Sequence, residues 1–245
     1  MGLYRDRGVV LRSYRLGEAD RIVVLATAGR GKVRAVAKGV RRTKSRWGGR
    51  LEPLSHVSLL CWEGRELDVV TQAEVLDHWR PLRENLDRLA RATSLLEVVD
   101  QVAQEGHADP ALYRMLVGAL RAMAERDSPL LVAGFLWKVL ALEGSAPMVD
   151  ACARCGTPGA GPGGAPVLVA FDMAEGGALC RSCRRGVPAS PEALKVVGQI
   201  LAGDLGGAMR ELPAASPLTA EVEHLASVAM EAHLERRLRT LRVLG

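Results

Sequence analysis

Four of the five cysteines in this 245-residue chain fall as Cys152-Ala-Arg-Cys155 and Cys180-Arg-Ser-Cys183, two CxxC pairs with 24 residues between them. Each pair can donate two thiolates from one tight turn. Two such turns joined by a hairpin complete a tetrahedral four-cysteine site of the kind that holds structural zinc. Gly156 suits the first turn, 167–171 reads as a strand between the pairs, and the Gly/Pro-rich stretch 156–166 absorbs the rather long spacing. Four thiolates close the coordination shell, so the expected zinc, one per chain, stabilises its segment and leaves no position open for activating water. Neither pair opens a helix after a strand, which argues against a thioredoxin-type redox pair. The fifth cysteine, Cys61, stands in an apolar stretch beside Trp62 and is expected to be a buried thiol.

The second chemical signal is charge. From Arg30 to Arg50 there are nine basic residues and no acidic one, with Trp47 among them. Such a run neutralises phosphates, and the tryptophan either stacks on a base or packs the loop onto its scaffold. Phosphate contacts are assigned to Arg34, Lys38, Arg41, Arg42, Lys44, Arg46 and Arg50. The asymmetry is regional: residues 1–80 hold sixteen Lys/Arg against nine Asp/Glu, whereas the chain as a whole nets only +5. Charge concentrated in one third of a chain points to a polyanionic partner rather than to general solubility. Arg236, Arg237, Arg239 and Arg242, expected on a terminal helix, either extend that surface or complement the helix C-terminus.

Catalytic constellations are weak. The five histidines share no motif, and no HExxH, GxSxG or Walker sequence occurs. Asp20, Asp68 and Glu74 could be imagined as the carboxylates of a metal-dependent nuclease, but they are spread over more than one strand, and hairpin or surface roles are expected for them.

These residues must be positioned by two kinds of scaffold. Segments 8–14, 21–27, 32–37, 57–62 and 67–75 are short and Val-rich, and Ala28-Gly29-Arg30-Gly31 reads as a hairpin turn between the second and third. Five strands with no strong helix suit an OB-type barrel, although an SH3-like barrel has the same strand count. After Arg80-Pro81 the period becomes helical over 85–104, 110–126 and 130–142, the last apolar nearly all round and expected at the centre of a helical body. Ser190-Pro191 and Ser216-Pro217 each read as an N-cap followed by a first-turn proline, the second opening a helix that runs to about Leu241. The expected fold is therefore α+β: a five-stranded barrel over 1–80, then an α-helical domain over 81–245 that carries a four-cysteine, zinc-ribbon-like insert at about 150–186. The longest apolar stretch, Pro129–Leu142, is interrupted by Lys138 and is too short to cross a membrane, and the N-terminus lacks a signal-peptide core. A cytoplasmic protein is expected.

The segment Ala37–Leu54, the stretch Leu67–Glu74, the opening Gly8–Gly17 strand with Glu18-Ala19-Asp20, and Asp150–Gly156 with its first CxxC resemble the RecO family of bacterial recombination mediators. The resemblance covers essentially the whole chain. It implies an OB domain followed by a helical domain with a zinc module, and no catalytic turnover. It also implies binding of single- and double-stranded DNA, annealing of complementary strands, and action with RecR to replace single-stranded DNA-binding protein by RecA at the nucleoid. The acidic C-terminal tail of single-stranded DNA-binding protein is expected on the helical body. An RNA- or translation-associated OB protein with a zinc ribbon is the alternative that the residues alone leave open.

Overall fold

The computed structural model describes residues 2–42, 45, 47, 49–161, 164 and 167–238. The chain divides into two compact units, Met1–Glu125 and Arg126–Arg242. Composition changes earlier, at Arg80-Pro81, so the first unit contains three helices besides its strands.

Five strands, β1 (Leu3–Leu16), β2 (Asp20–Thr27), β3 (Gly31–Ala37), β4 (His56–Trp62) and β5 (Asp68–Asp77), close a barrel in the order β1-β2-β3-β5-β4. β1 pairs antiparallel with β2 through its second half and with β4 through its first half, while β3 and β5 meet in parallel at Ala35–Asp68 and Val36–Val69. That closure is the five-stranded OB arrangement. Alternation sends Val10, Val23, Leu25, Val33, Ala35, Val57, Leu59 and Cys61 into the barrel. β1 starts well before the expected Gly8, because its first outward positions are Leu3, Arg5 and Arg7, which do not read as an apolar strand.

A one-turn helix α1 (Arg80–Arg83) follows Trp79, whose backbone is left-handed at φ 41°. Helices α2 (Leu86–Val102) and α3 (Pro110–Glu125) complete the unit, α2 starting at an Asn85 cap that accepts from the Arg88 N–H. α2 and the turn after it hold the outer side of the barrel by charge: Arg12 meets Asp100 at 2.5 Å, Lys32 donates to the Asp100 carbonyl at 2.6 Å, and Arg34 lies 3.7 Å from Glu105. Gly31 sits so close to this turn that a Cβ there would lie 2.0 Å from the His107 carbonyl oxygen.

In the second unit α4 (Pro129–Leu142) is buried along both faces from Leu130 to Leu140, with half-buried Lys138 at its margin. Around it pack α5 (Pro191–Leu201), α6 (Leu205–Glu211) and α7 (Pro217–His233). Ser190 and Ser216 cap α5 and α7 as expected, Ser216 as part of a capping box with Thr219. α7 stops at His233, short of the expected Leu241, as Glu235 turns left-handed at φ 49°; Arg236 and Arg237 therefore lie beyond the helix, and Arg239 and Arg242 lie outside the described residues. Between α4 and α5 a three-stranded sheet, β6 (Leu168–Asp172), β7 (Gly177–Cys180) and β8 (Val187–Pro188) in the order β7-β6-β8, carries the cysteines. Trp137 of α4 meets Phe171 of β6 edge-on at 5.7 Å, joining this insert to the helical core. Among the described residues no helix is long and apolar enough to cross a membrane.

Candidate functional site

The cysteines converge. The first pair lies on a turn before β6, with Gly156 at φ 74° and its N–H on the Cys152 carbonyl at 2.8 Å; the second closes β7 and the 3-10 turn Arg181–Cys183. Cross-bonds lock the two turns, the Ala153 N–H donating to the Ala178 carbonyl at 2.8 Å. Gly177 is obligatory here: at φ 142° its Cβ would stand 2.1 Å from the Met148 oxygen. As a result the Sγ atoms of Cys152, Cys155, Cys180 and Cys183 all lie within 4.8 Å of one another. Cys155 Sγ and Cys180 Sγ are 3.8 Å apart. That is far beyond a disulfide of about 2.05 Å and equals the tetrahedron edge of roughly 3.8 Å that a metal–sulfur bond of about 2.3 Å produces.

The electrostatics fit a cation. Burial pushes the Cys152 thiol up, but backbone N–H groups of Cys180, Cys155 and Arg154 outweigh it and bring the thiol down to about 6. Cys183 moves the other way, to about 12, chiefly through its bond with Cys155. Four sulfurs this close cannot all ionise alone. A divalent metal at their centre removes that conflict, and the four cysteines would hold it with a closed shell.

The basic run is not a free loop. After β3 the chain turns at Lys38–Arg42 and docks on the β1–β2 turn: the Gly39 N–H donates to Asp20 at 2.7 Å, the Arg41 N–H to the Ala19 carbonyl at 2.9 Å, and the Arg41 guanidinium to the Glu18 carbonyl at 2.8 Å. It then folds back into the barrel. Trp47, 2% exposed, packs with Leu51 among the interior residues and donates its indole N–H to the Lys38 carbonyl at 2.8 Å. Packing, not base stacking, is its role.

This architecture sorts the seven cations. Lys38, Arg41 and Arg42 are exposed together on the docked turn. Arg50 is exposed beside a groove of about 550 Å³ that runs along Thr71–Val75 of β5. Arg34 stands apart on β3, where a bond to Tyr14 and the Glu105 carboxylate raise its pKa. Lys44 and Arg46 lie outside the described residues. A further exposed cation outside the sequence assignment, Arg15, is set by the β1–β2 register opposite Arg21, just before the turn on which Arg41 docks. The hairpin register around Gly17-Glu18-Ala19 is the signal that could have found it. Arg21 itself is drawn to Glu52 at 3.1 Å.

The three carboxylates considered for a nuclease are dispersed. Asp20 accepts from Gly39, Asp68 accepts from the Tyr4 hydroxyl and the Gly64 N–H, and Glu74 points outward on β5. Cys61 is buried in the barrel, and burial pushes its thiol up to about 11.

Residues 1–79 match the family described as Recombination protein O N terminal, and residues 83–242 the one described as Recombination protein O C terminal. A relative from Nocardioides sp., a DNA repair protein RecO, is 44% identical over 247 residues, covering 98% of either chain. The boundary between the two matches coincides with the change of composition at Arg80-Pro81.

Proposed function

Because the chain belongs to the RecO family of recombination and repair proteins, we propose that it acts in DNA repair as a non-enzymatic mediator. In this reading it grips single- and double-stranded DNA, anneals complementary single strands and, with RecR, exchanges single-stranded DNA-binding protein for RecA at the nucleoid. The observation that carries the DNA-binding step is the docked turn. Lys38, Arg41 and Arg42 are presented together because backbone bonds from Gly39 and Arg41 fix the turn on β1–β2 and the buried Trp47 ties it to the barrel. Cations held this way need little ordering when a phosphate backbone arrives. Arg50 is exposed beside the β5 groove and is read as a further phosphate contact; Lys44 and Arg46 are retained from the sequence alone, and Arg34 contributes least.

The metal in this reading is zinc, one per chain, held by Cys152, Cys155, Cys180 and Cys183. It supplies crosslinking of the β6–β7 insert and no open coordination position. Strand annealing needs no bond chemistry from the protein. Phosphate neutralisation lowers the repulsion between two strands, and base pairing does the rest.

The test is pairing of complementary oligonucleotides coated with single-stranded DNA-binding protein. The wild-type chain should accelerate pairing, and Lys38→Ala/Arg41→Ala/Arg42→Ala should lose most of the acceleration. No acceleration by a folded wild-type chain would refute the annealing role. Competition between single-stranded DNA and structured RNA separates this reading from an RNA-associated one, and calorimetry of the full chain with the acidic tail peptide tests docking on the helical body.

A further inference from the structure

The outer face of β1, β4 and β5 carries exposed apolar and cationic side chains together. The registers place Leu3, Trp62 and Val69 in one cross-strand row, Arg5, Leu60 and Gln72 in the next, and Arg7, Ser58 and Glu74 in a third. Rows on one face of a strand are separated by about 7 Å, twice the rise per residue. Trp62 is 47% exposed and Leu3 56%, whereas Trp47, Trp79 and Trp137 are each no more than 3% exposed. A half-exposed tryptophan in the first row of a sheet face is unusual for a side chain that normally buries most of its area.

The neighbouring cations strengthen the contrast. On the side covered by α2, Arg12, Lys32 and Arg34 all face carboxylates of Asp100 or Glu105. Arg5 and Arg7 on β1 are exposed, and among the described residues neither side chain has a carboxylate partner within ion-pair distance. An aromatic platform beside two unneutralised guanidiniums is complementary to single-stranded nucleic acid, whose bases stack on π-faces and whose phosphates take the charge.

We infer that this face is a second single-strand-binding surface, separate from the Lys38–Arg42 turn, with Trp62 and Leu3 receiving a base and Arg5 and Arg7 its flanking phosphates. The inference rests on the annealing reading above and deepens it. A chain with two surfaces can hold two strands side by side, as pairing requires.

The experiment measures how many short oligothymidylates, each too short to reach both surfaces, bind one full-length chain, and how fast complementary strands pair. Wild type should bind two. Trp62→Ala should weaken one of the two sites about tenfold to a hundredfold, the range expected for loss of one base–aromatic stack. It should also slow pairing, while Trp62→Phe retains most of both. Arg5→Ala/Arg7→Ala should weaken the same site, and Lys38→Ala/Arg41→Ala/Arg42→Ala the other. Two sites of unchanged affinity in Trp62→Ala would overturn the inference. So would a shift from dimer to monomer in Trp62→Ala with both sites intact, which would assign the face to a second copy of the chain. If wild type binds a single oligothymidylate that the triple substitution removes, this inference alone falls. If it binds none, the reading under the preceding heading falls as well.

Discussion

Replacing Lys38, Arg41 and Arg42 together with alanine should change how DNA affinity depends on salt, by an amount that follows from where the structure puts each cation. Each phosphate neutralised on a single strand adds about −0.7 to the slope of log affinity against log salt. The three side chains on the docked turn set a floor of about −2.1, so raising salt from roughly 50 to 200 mM should weaken binding about twentyfold. If Arg50, Lys44 and Arg46 also contact phosphates, the slope approaches about −4.2 and the loss roughly three-hundredfold. The triple substitution should remove about two units of slope in either case, because its three cations share one rigid turn. Arg34→Ala is the internal control. Its guanidinium is held by Tyr14 and Glu105, so its loss should leave the slope within a few tenths. The assay is anisotropy of a labelled oligonucleotide titrated at several salt concentrations, with metal content and thermal melting recorded for each variant. Sequence preference should be slight, since phosphate contacts carry no base information. A triple mutant whose slope superimposes on wild type, or an Arg34→Ala slope that falls as far as the triple, would refute the reasoning.

Further outcomes are expected. Protein purified without chelator should carry one zinc per chain by elemental measurement, and Cys155→Ser should lose it and lower the melting temperature of the second unit before it affects DNA affinity. Gly177→Ala should also reduce metal retention and stability, since its Cβ would meet the Met148 oxygen at 2.1 Å; equal zinc content and melting in variant and wild type would contradict this. Trp47→Ala should cost about 3–5 kcal/mol in denaturant unfolding, as a fully buried core aromatic does, and a cost below about 1 kcal/mol would return Trp47 to the surface. Finally, burial holds His56 below its ordinary range, with Asp77 opposing and Arg7 and Arg121 reinforcing. As pH falls through about 6.5 the unfolded chain takes up this proton before the folded one, so stability is full above that value and declines below it. His56→Asn should therefore show a smaller drop in melting temperature between about pH 7.5 and pH 5.5 than wild type.

The barrel, the helix caps and the convergence of the four cysteines were legible because each depends on local rules. Alternating valines mark β2 and β3, Ser-Pro pairs mark the starts of α5 and α7, and two CxxC turns can serve only a few chemistries. β7 was not legible, since Gly177-Ala-Leu-Cys180 has too few residues to show a period and forms only by pairing with β6. The end of α7 was also hidden, because residues after His233 remain helix-compatible and only the turn at Glu235 stops them.

By itself the sequence determined that a cationic stretch follows the third strand and that four thiols come in two pairs, since composition and spacing along the chain carry that information. Only the tertiary structure decided which of those cations face solvent and which are neutralised. Arg34 and Lys38 are close in sequence, yet the barrel wall turns one toward Glu105 and the docked turn leaves the other exposed. The role of Trp47 and the bareness of Trp62 were settled in the same way. Burial depends on what the folded chain brings against a side chain from distant positions, and no residue's own type or neighbours encode it.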